Sequence, residues 1–318
     1  MPPGHYWAIG DFVKTLPRQT YDEYLDVLPE FTVSGDTTVH LTAAAATSRI
    51  QTWSRETPAT WCRGASSVSL MRILIIGGAG YVGSLILPGL ADAGHEVRVL
   101  DLAAPRGDVD WVQGSATDPA ALDAAFSGAD AVVHAAMAPL GTDGTADPAG
   151  LFSVLVTSVF TALDAASRAG VTRAVLLSSM SVFAGQPVRL PDRDLDETSP
   201  PDALDAYGLA KRLAEVVGQA AAQAHGMTVT ALRIAWPTSE PAWPAWALPA
   251  FPQPAVVRRA DGTPVPALAA SDLTAAVLAA LDRDGSFDVF HILGGNGPGH
   301  SLSTAKAHAL LGWQPKRH

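Results

Sequence analysis

Tyr207 and Lys211 stand four residues apart in the run Tyr207-Gly208-Leu209-Ala210-Lys211, inside a segment whose pattern predicts a helix from Ala206 to Ala224. Residues at that spacing share one face of a helix. A free tyrosine, with a pKa near 10, keeps its proton at pH 7. An ammonium about 4 Å away, at an effective dielectric near 20, is worth roughly 4 kcal/mol. At about 1.4 kcal/mol per pKa unit, that lowers the phenol by up to about 3 units before desolvation opposes it. A phenol so tuned exchanges a proton with a hydroxyl group, the acid–base half of an alcohol oxidation or its reverse. The competing reading is a polar pair on an exposed helix surface.

A second constellation is built to bind. Gly77-Gly78-Ala79-Gly80-Tyr81-Val82-Gly83 follows the β-branched run Ile73–Ile76 and opens a predicted helix. Glycines at 77, 80 and 83 let the backbone turn tightly, approach a pyrophosphate and bring the helix against the strand. The helix N-terminus adds free N–H groups and a positive dipole end. The strand–turn–helix context gives this pattern its meaning. Asp101 comes about 18 residues after Gly83, at the end of the second predicted strand, where a carboxylate accepts hydrogen bonds from the ribose hydroxyls of NAD. Its charge repels the 2′-phosphate of NADP, so NAD is the expected cofactor, with NADP the lesser alternative through Arg106. Asp118 sits where an acid meets the adenine amino group, and also where a cap precedes Pro119 at the start of a helix.

Three segments in chain order, Gly77–Gly83, Ser178-Ser179-Met180-Ser181-Val182-Phe183 and Tyr207–Lys211, resemble the extended short-chain dehydrogenase/reductase family, the NAD-dependent epimerase/dehydratase group. The resemblance covers Met71 to about Pro315. His134-Ala135-Ala136, Leu232-Arg233 and Leu311-Gly312-Trp313-Gln314-Pro315 add to it. It implies a catalytic set of Ser179, Tyr207 and Lys211. Ser179 would hydrogen-bond the reacting oxygen and orient it; Lys211 would also hold the nicotinamide ribose. Ser178 and Ser181 compete with Ser179 for the catalytic assignment. The resemblance further implies cofactor contacts from Gly77, Gly80, Tyr81, Val82, Gly83, Asp101, Asp118, His134, Ala135, Ala136 and Lys211. Ser179, Ser181, Arg233 and Trp236 fall on the substrate side, and no residue is assigned to a metal. Arg233 has a second reading as a structural ion pair. Phe183 stands where many relatives carry tyrosine.

Counted from Met71 the chain is 248 residues, and only 85 follow Arg233. That compactness resembles the uronate dehydrogenase branch and leaves less room to grip a nucleoside diphosphate, so a small sugar-like hydroxy compound is the expected substrate. The expected reaction is hydride transfer between nicotinamide and a hydroxyl carbon, with Tyr207 as acid and base. Two alternatives stand beside it: a sugar epimerase that keeps its NAD captive, and an NAD(P)-binding sensor without turnover.

Positioning these residues requires a scaffold. From Met71 onward, predicted strands at Ile73–Ile76, Val97–Leu100, Trp111–Val112, Ala131–Val133, Ala174–Leu177, Val229–Leu232 and Phe287–Ile292 alternate with helices. The pattern reads as an α/β fold, a Rossmann-type doubly wound parallel sheet with a small C-terminal substrate-binding region. Three parts follow: an extension over 1–70, a Rossmann domain over 71–235 carrying the catalytic residues, and a substrate-binding region over 236–318 interleaved with the sheet. The extension lacks sustained periodicity. It reads either as an appendage or as sequence upstream of a true start at Met71. Within 236–267, prolines at 237, 241, 244, 249, 252, 254, 264 and 266 block helix continuation and central-strand pairing. The aromatics there, Trp236, Trp243, Trp246 and Phe251, either line a pocket or pack the loops down.

Composition narrows the classes. With 48% hydrophobic and 16% charged residues, the chain can bury enough apolar surface to offset ordering entropy, which excludes disorder throughout. The net charge of −10 and the lack of basic blocks disfavour nucleic acid and an anionic membrane surface as partners. The single cysteine, Cys62, cannot form an intramolecular disulfide. No run reaches the roughly 18 unbroken apolar residues of a membrane span, and the first 30 residues lack a signal-peptide core. A cytoplasmic location is expected. A homodimer through the predicted helices at 150–169 and 206–224 follows from the resemblance. Their alanines, Ala162, Ala165, Ala166, Ala210, Ala214, Ala220 and Ala221, pack either that interface or the sheet.

Overall fold

Ile73, Leu74, Ile75 and Ile76 are completely buried, and that unbroken apolar run is what a parallel strand covered on both faces requires. In a computed structural model, which describes residues 70–138, 147–184, 195–248, 253–258, 262–295 and 302–317, they form the central strand β1 (Arg72–Ile76). The chain divides into units Met1–Ser66 and Ser67–His318, and the described residues lie in the second. Residues 1–69, with Cys62, and Pro249, Phe251 and Pro252, lie outside the described residues.

After β1 come α1 (Tyr81–Asp92), β2 (Glu96–Asp101), β3 (Asp110–Gln113), α2 (Pro119–Phe126) and β4 (Ala131–His134). The helical stretch α3 (Pro148–Arg168) contains a π-turn over Ser153–Thr157. Then follow β5 (Arg173–Ser179), a 3₁₀ turn at Met180–Val182, α4 (Ala206–His225) and β6 (Thr228–Ile234). Four two-residue strands come next: β7 (Pro237–Thr238), β8 (Val257–Arg258), β9 (Pro264–Val265) and β10 (Leu268–Ala269). The described chain closes with α5 (Ala270–Asp282), β11 (Phe287–Ile292) and α6 (Ala305–Leu311).

Seven parallel strands pair in the order β11-β6-β5-β4-β1-β2-β3. The order reverses between β1 and β4, and ligands of open α/β sheets bind at the strand ends beside such a switch point. Side chains alternate along each strand. Ile73 and Ile75 pack with Ile86 and Leu90 of α1 and Leu273 and Val277 of α5. Leu74 and Ile76 face the other way, toward Leu122 and Phe126 of α2, Val159, Ala162 and Leu163 of α3, and Ala214 of α4. Each such side chain contributes roughly 1.5–3 kcal/mol by leaving water. α3 is long and apolar enough to cross a membrane by length and composition, but here one side of it covers the sheet. Ala162, Ala165, Ala166 and Ala214 cover the sheet as well, which decides between the two readings of those alanines.

The C-terminal stretch contributes to both parts of the architecture. α5 and β11 complete the main sheet and its cover, while Trp236, Val257, Val265, Ala267, Leu293 and Leu302 form a smaller core with Met180, Val182 and Phe183. The last residues are strapped down by Asp272. Its backbone carbonyl accepts the Trp313 indole N–H at 2.9 Å, and its carboxylate accepts the backbone N–H groups of Lys316 and Arg317.

Candidate active site

At the switch point the chain leaves β1 through glycines that tolerate no side chain. Gly77 has φ +83°, and a Cβ there would lie 2.5 Å from the Ala136 backbone. A Cβ on Gly83 would meet the Gly77 carbonyl oxygen at 2.3 Å. Gly80 differs: its missing Cβ points into space bounded only by the Gly77 carbonyl at 3.2 Å. As N-cap of α1, Gly80 offers no side-chain hydrogen bond, so the first N–H groups of the helix stay available to an anion. A tight loop, an open cradle and a bare helix N-terminus together fit a dinucleotide pyrophosphate.

Around this cradle, the residues expected at the cofactor take several postures. Asp101 accepts N–H groups from Ala79 at 2.9 Å and Ala103 at 3.1 Å, so its carboxylate shapes the glycine loop. A carboxylate has about four acceptor sites, which leaves lone pairs for a ribose hydroxyl. Asp118 caps α2 through Ala120 N–H at 3.0 Å. The Tyr81 hydroxyl donates to carbonyls of the C-terminal region, with Pro237 and Ala247 as partners, so that side chain joins α1 to the proline-rich stretch. Val82 packs at the margin of the core. Ala135 and Ala136 run against Gly77.

His134 turns its ring away from the cradle. Its Nε2 lies 2.7 Å from Ser158 Oγ, and the Ser158 hydroxyl donates to the Val154 carbonyl inside the π-turn. Since that hydroxyl spends its one proton on Val154, His134 Nε2 carries the hydrogen in their bond. Burial, helped by the Lys211 charge, pushes the His134 pKa down to about 3, which keeps the ring neutral. The π-turn was not legible in the sequence, and it is what aims Ser158 at β4.

The residues expected to react meet at one strand end. β5 runs two residues beyond its predicted limit, so Ser178 and Ser179 are its last residues. Lys211, almost fully buried, donates to the Leu177 carbonyl at 2.7 Å. Ser179 lies close enough to the Tyr207 phenol to lower its pKa, and its Oγ accepts Ser181 N–H at 3.0 Å. Ser179 is therefore the serine brought to Tyr207. Ser181 is buried and supports Ser179 through its backbone. Asp205 caps α4 by accepting Gly208 N–H at 2.9 Å, which fixes the first turn carrying Tyr207.

The charge coupling differs from the expectation. Burial raises the Tyr207 pKa above the usual phenol value, against the lowering influence of the neighbouring Ser179 hydroxyl. The Lys211 ammonium sits 6.0 Å from the Tyr207 ring centroid and points at Leu177, so it does not tune the phenol in this geometry. Lys211 itself is lowered to about 8 by burial, with Glu215 opposing.

Arg233 takes its structural reading. Its guanidinium grips Glu215 through Nε at 2.9 Å and Nη2 at 2.8 Å, both side chains being buried. Trp236 is 97% buried in the smaller core and has φ +49°. A bulky residue in that left-handed region is strained by about 1–3 kcal/mol. Burial of a large aromatic, whose removal costs about 3–5 kcal/mol, holds it there. Sequence reasoning missed Glu215 and Ser158. Glu215 had a signal: it lies one further turn along the face that carries Tyr207 and Lys211.

The sequence model described as the NAD dependent epimerase/dehydratase family matches residues 73–292. A curated relative, UDP-glucose 4-epimerase of Azospirillum brasilense, is 32% identical over 170 residues, 51% of this chain and 48% of that one. The chain thus spans about half the length of the curated relatives it matches. Among solved structures, a short-chain dehydrogenase/reductase superfamily protein from Agrobacterium tumefaciens with bound NAD superposes with TM-score 0.65 at 23% identity, covering 78% of this chain and 93% of that one. A mutated uronate dehydrogenase gives 0.61 at 21% identity, over 78% and 82%. UDP-glucose 4-epimerase of Thermotoga maritima gives 0.62 at 21% identity, over 77% and 94%. These structures share the fold.

Proposed function

The chain belongs to the NAD dependent epimerase/dehydratase family, and from that premise we propose that it is an NAD-dependent oxidoreductase acting on a hydroxyl carbon of a small sugar-like compound. The observation that carries this reading is the closeness of Ser179, the last residue of β5, to the Tyr207 phenol, whose pKa it lowers, with Lys211 one turn away on the same helix face. NAD, when bound, supplies the hydride acceptor. Gly77, Gly80 and Gly83 with the N-terminus of α1 hold its pyrophosphate, and Asp101 takes its adenosine ribose. Asp118 stands near the adenine edge.

Ser179 Oγ orients the substrate hydroxyl, and Tyr207 removes its proton during oxidation or returns it during reduction. Lys211 spends one of its three N–H donors on Leu177, which leaves two that would hold the nicotinamide ribose. Burial keeps the Tyr207 phenol protonated at neutral pH, so a positive charge brought beside it is needed to let it act as a base. Arg233 stands behind the site, paired with Glu215, and Trp236 forms its buried wall.

The test is absorbance at 340 nm with NAD or NADP against sugars, uronic acids and small alcohols. A substrate-dependent rise is expected with NAD. Tyr207→Phe should cut that rate at least a thousandfold and leave NAD affinity within threefold; an unchanged rate removes Tyr207 from the chemistry. A second reading, a sugar epimerase that retains NAD, is favoured by the 32% identity to UDP-glucose 4-epimerase. It predicts turnover without accumulating NADH. Chain length does not separate the two, because the fold superposes on 94% of a UDP-glucose 4-epimerase chain. A homodimer belongs to the same reading. Its interface would be the outer face of α3 and α4, where Phe160 and Val216 are exposed.

A further inference from the structure

Three consecutive residues at the end of β5 meet three successive turns of α4. Leu177 receives Lys211, Ser178 donates to Glu215 Oε1 at 2.6 Å, and Ser179 lies beside Tyr207. Glu215 alone among these reaches a third element, through its two-point grip on Arg233 of β6. Arg233 pairs in register with Ser178, and its guanidinium lies 5.1 Å from the centroid of the Phe183 ring. Three bonds to one buried carboxylate thus join β5, β6 and α4 directly behind the reacting groups.

Burying such a pair brings little net stability, because desolvation offsets the attraction; an apolar pair of equal volume often does as well. What the ion pair adds is a fixed geometry. We infer that Glu215 is a positioning residue: by clamping Ser178 and Arg233 to α4, it sets the register in which Ser179, Tyr207 and Lys211 face the substrate. This rests on the proposed role of Tyr207. Displacement of a reacting group by about 1 Å can cost a hundredfold in rate. Glu215 also faces the Lys211 ammonium, as do His134 from β4 and Tyr207 from the preceding turn.

The experiment compares wild type, Glu215→Gln and Glu215→Gln/Arg233→Met. Glu215→Gln should lower kcat at least tenfold with KM within threefold. The double variant removes the stranded guanidinium and should regain the wild-type melting temperature without regaining kcat. If kcat returns together with the melting temperature, or never falls, Glu215 is only structural and the inference is overturned. A readout without turnover keeps this separate from the proposed activity. The chain has four lysines, so in ¹³C-lysine-labelled protein the Lys211 signal is assigned by its loss in Lys211→Met. Its titration midpoint, about 8 in wild type, should fall in Glu215→Gln. An unmoved midpoint overturns the inference even where no substrate has been found. Absence of turnover in wild type with that midpoint shifted defeats the proposed activity instead.

Discussion

Two buried histidines make the molecule sensitive to acid. His134 hydrogen-bonds Ser158, while His291 uses Nδ1 on the Ser303 carbonyl at 3.2 Å and packs edge-on against Phe183. Burial is the main cause that lowers both pKa values to about 3. An unfolded histidine titrates near 6.5, so between these values the unfolded chain binds more protons than the folded one. Their stabilising contribution is complete above about pH 6.5 and is lost as pH falls from there toward 3. At pH 5 the loss is about 2 kcal/mol for each ring. Urea midpoints at pH 7.5 and pH 5 should show it, and His291→Asn should remove about half of that pH dependence. A midpoint equal at both pH values would mean that the rings are charged or solvated in the folded chain.

At the scale of elements, the β1–loop–α1 unit separates two kinds of glycine. Gly83→Ala places a methyl group 2.3 Å from the Gly77 carbonyl, so the loop backbone must shift and the cradle is lost. NAD affinity should fall more than tenfold, together with the melting temperature. Gly80→Ala meets only the Gly77 carbonyl at 3.2 Å. It should lower the melting temperature less than Gly83→Ala does, since the methyl is tight against one carbonyl oxygen where Gly83→Ala meets three backbone atoms within 3.0 Å. The added methyl would still occupy the pyrophosphate position and weaken NAD binding. Fluorescence titration and thermal melts on the two variants check this. Equal melting losses would place Gly80 in the packing and not in the cradle.

For the molecule as a whole, the sheet-facing sides of α3 and α4 are accounted for, and the outer face presents Phe160 at 61% and Val216 at 59% exposure. A contiguous apolar patch marks an association surface, and the proposed dimer requires Phe160 and Val216 to contribute to one. Phe160→Glu with Val216→Lys should convert the proposed dimer to a monomer in light scattering and leave NAD affinity intact, because the cradle lies at the strand ends. A wild-type chain that elutes as a monomer at micromolar concentration would remove the dimer.

Local patterns were enough for the strand–helix alternation, the glycine loop, the Asp118 cap and the Tyr207–Lys211 face, because each is set by neighbours within a few residues or by a short period. β5 extends two residues past the limit that local pattern sets, since Ser178 and Ser179 look like loop residues until Glu215 and Tyr207 are brought to them. Arg233 could be read as substrate ligand or ion pair, and only packing across β5, β6 and α4 gave it Glu215. Tyr207 and Lys211 share a face as their spacing requires, yet the carbonyl of Leu177 captures the ammonium and burial raises the phenol. The sequence by itself determined the class of fold, the family and the glycine loop, and it named the residues proposed to react. Only the tertiary structure decided where each proton and charge rests, because burial and long-range partners fix those, and neither is encoded in local spacing.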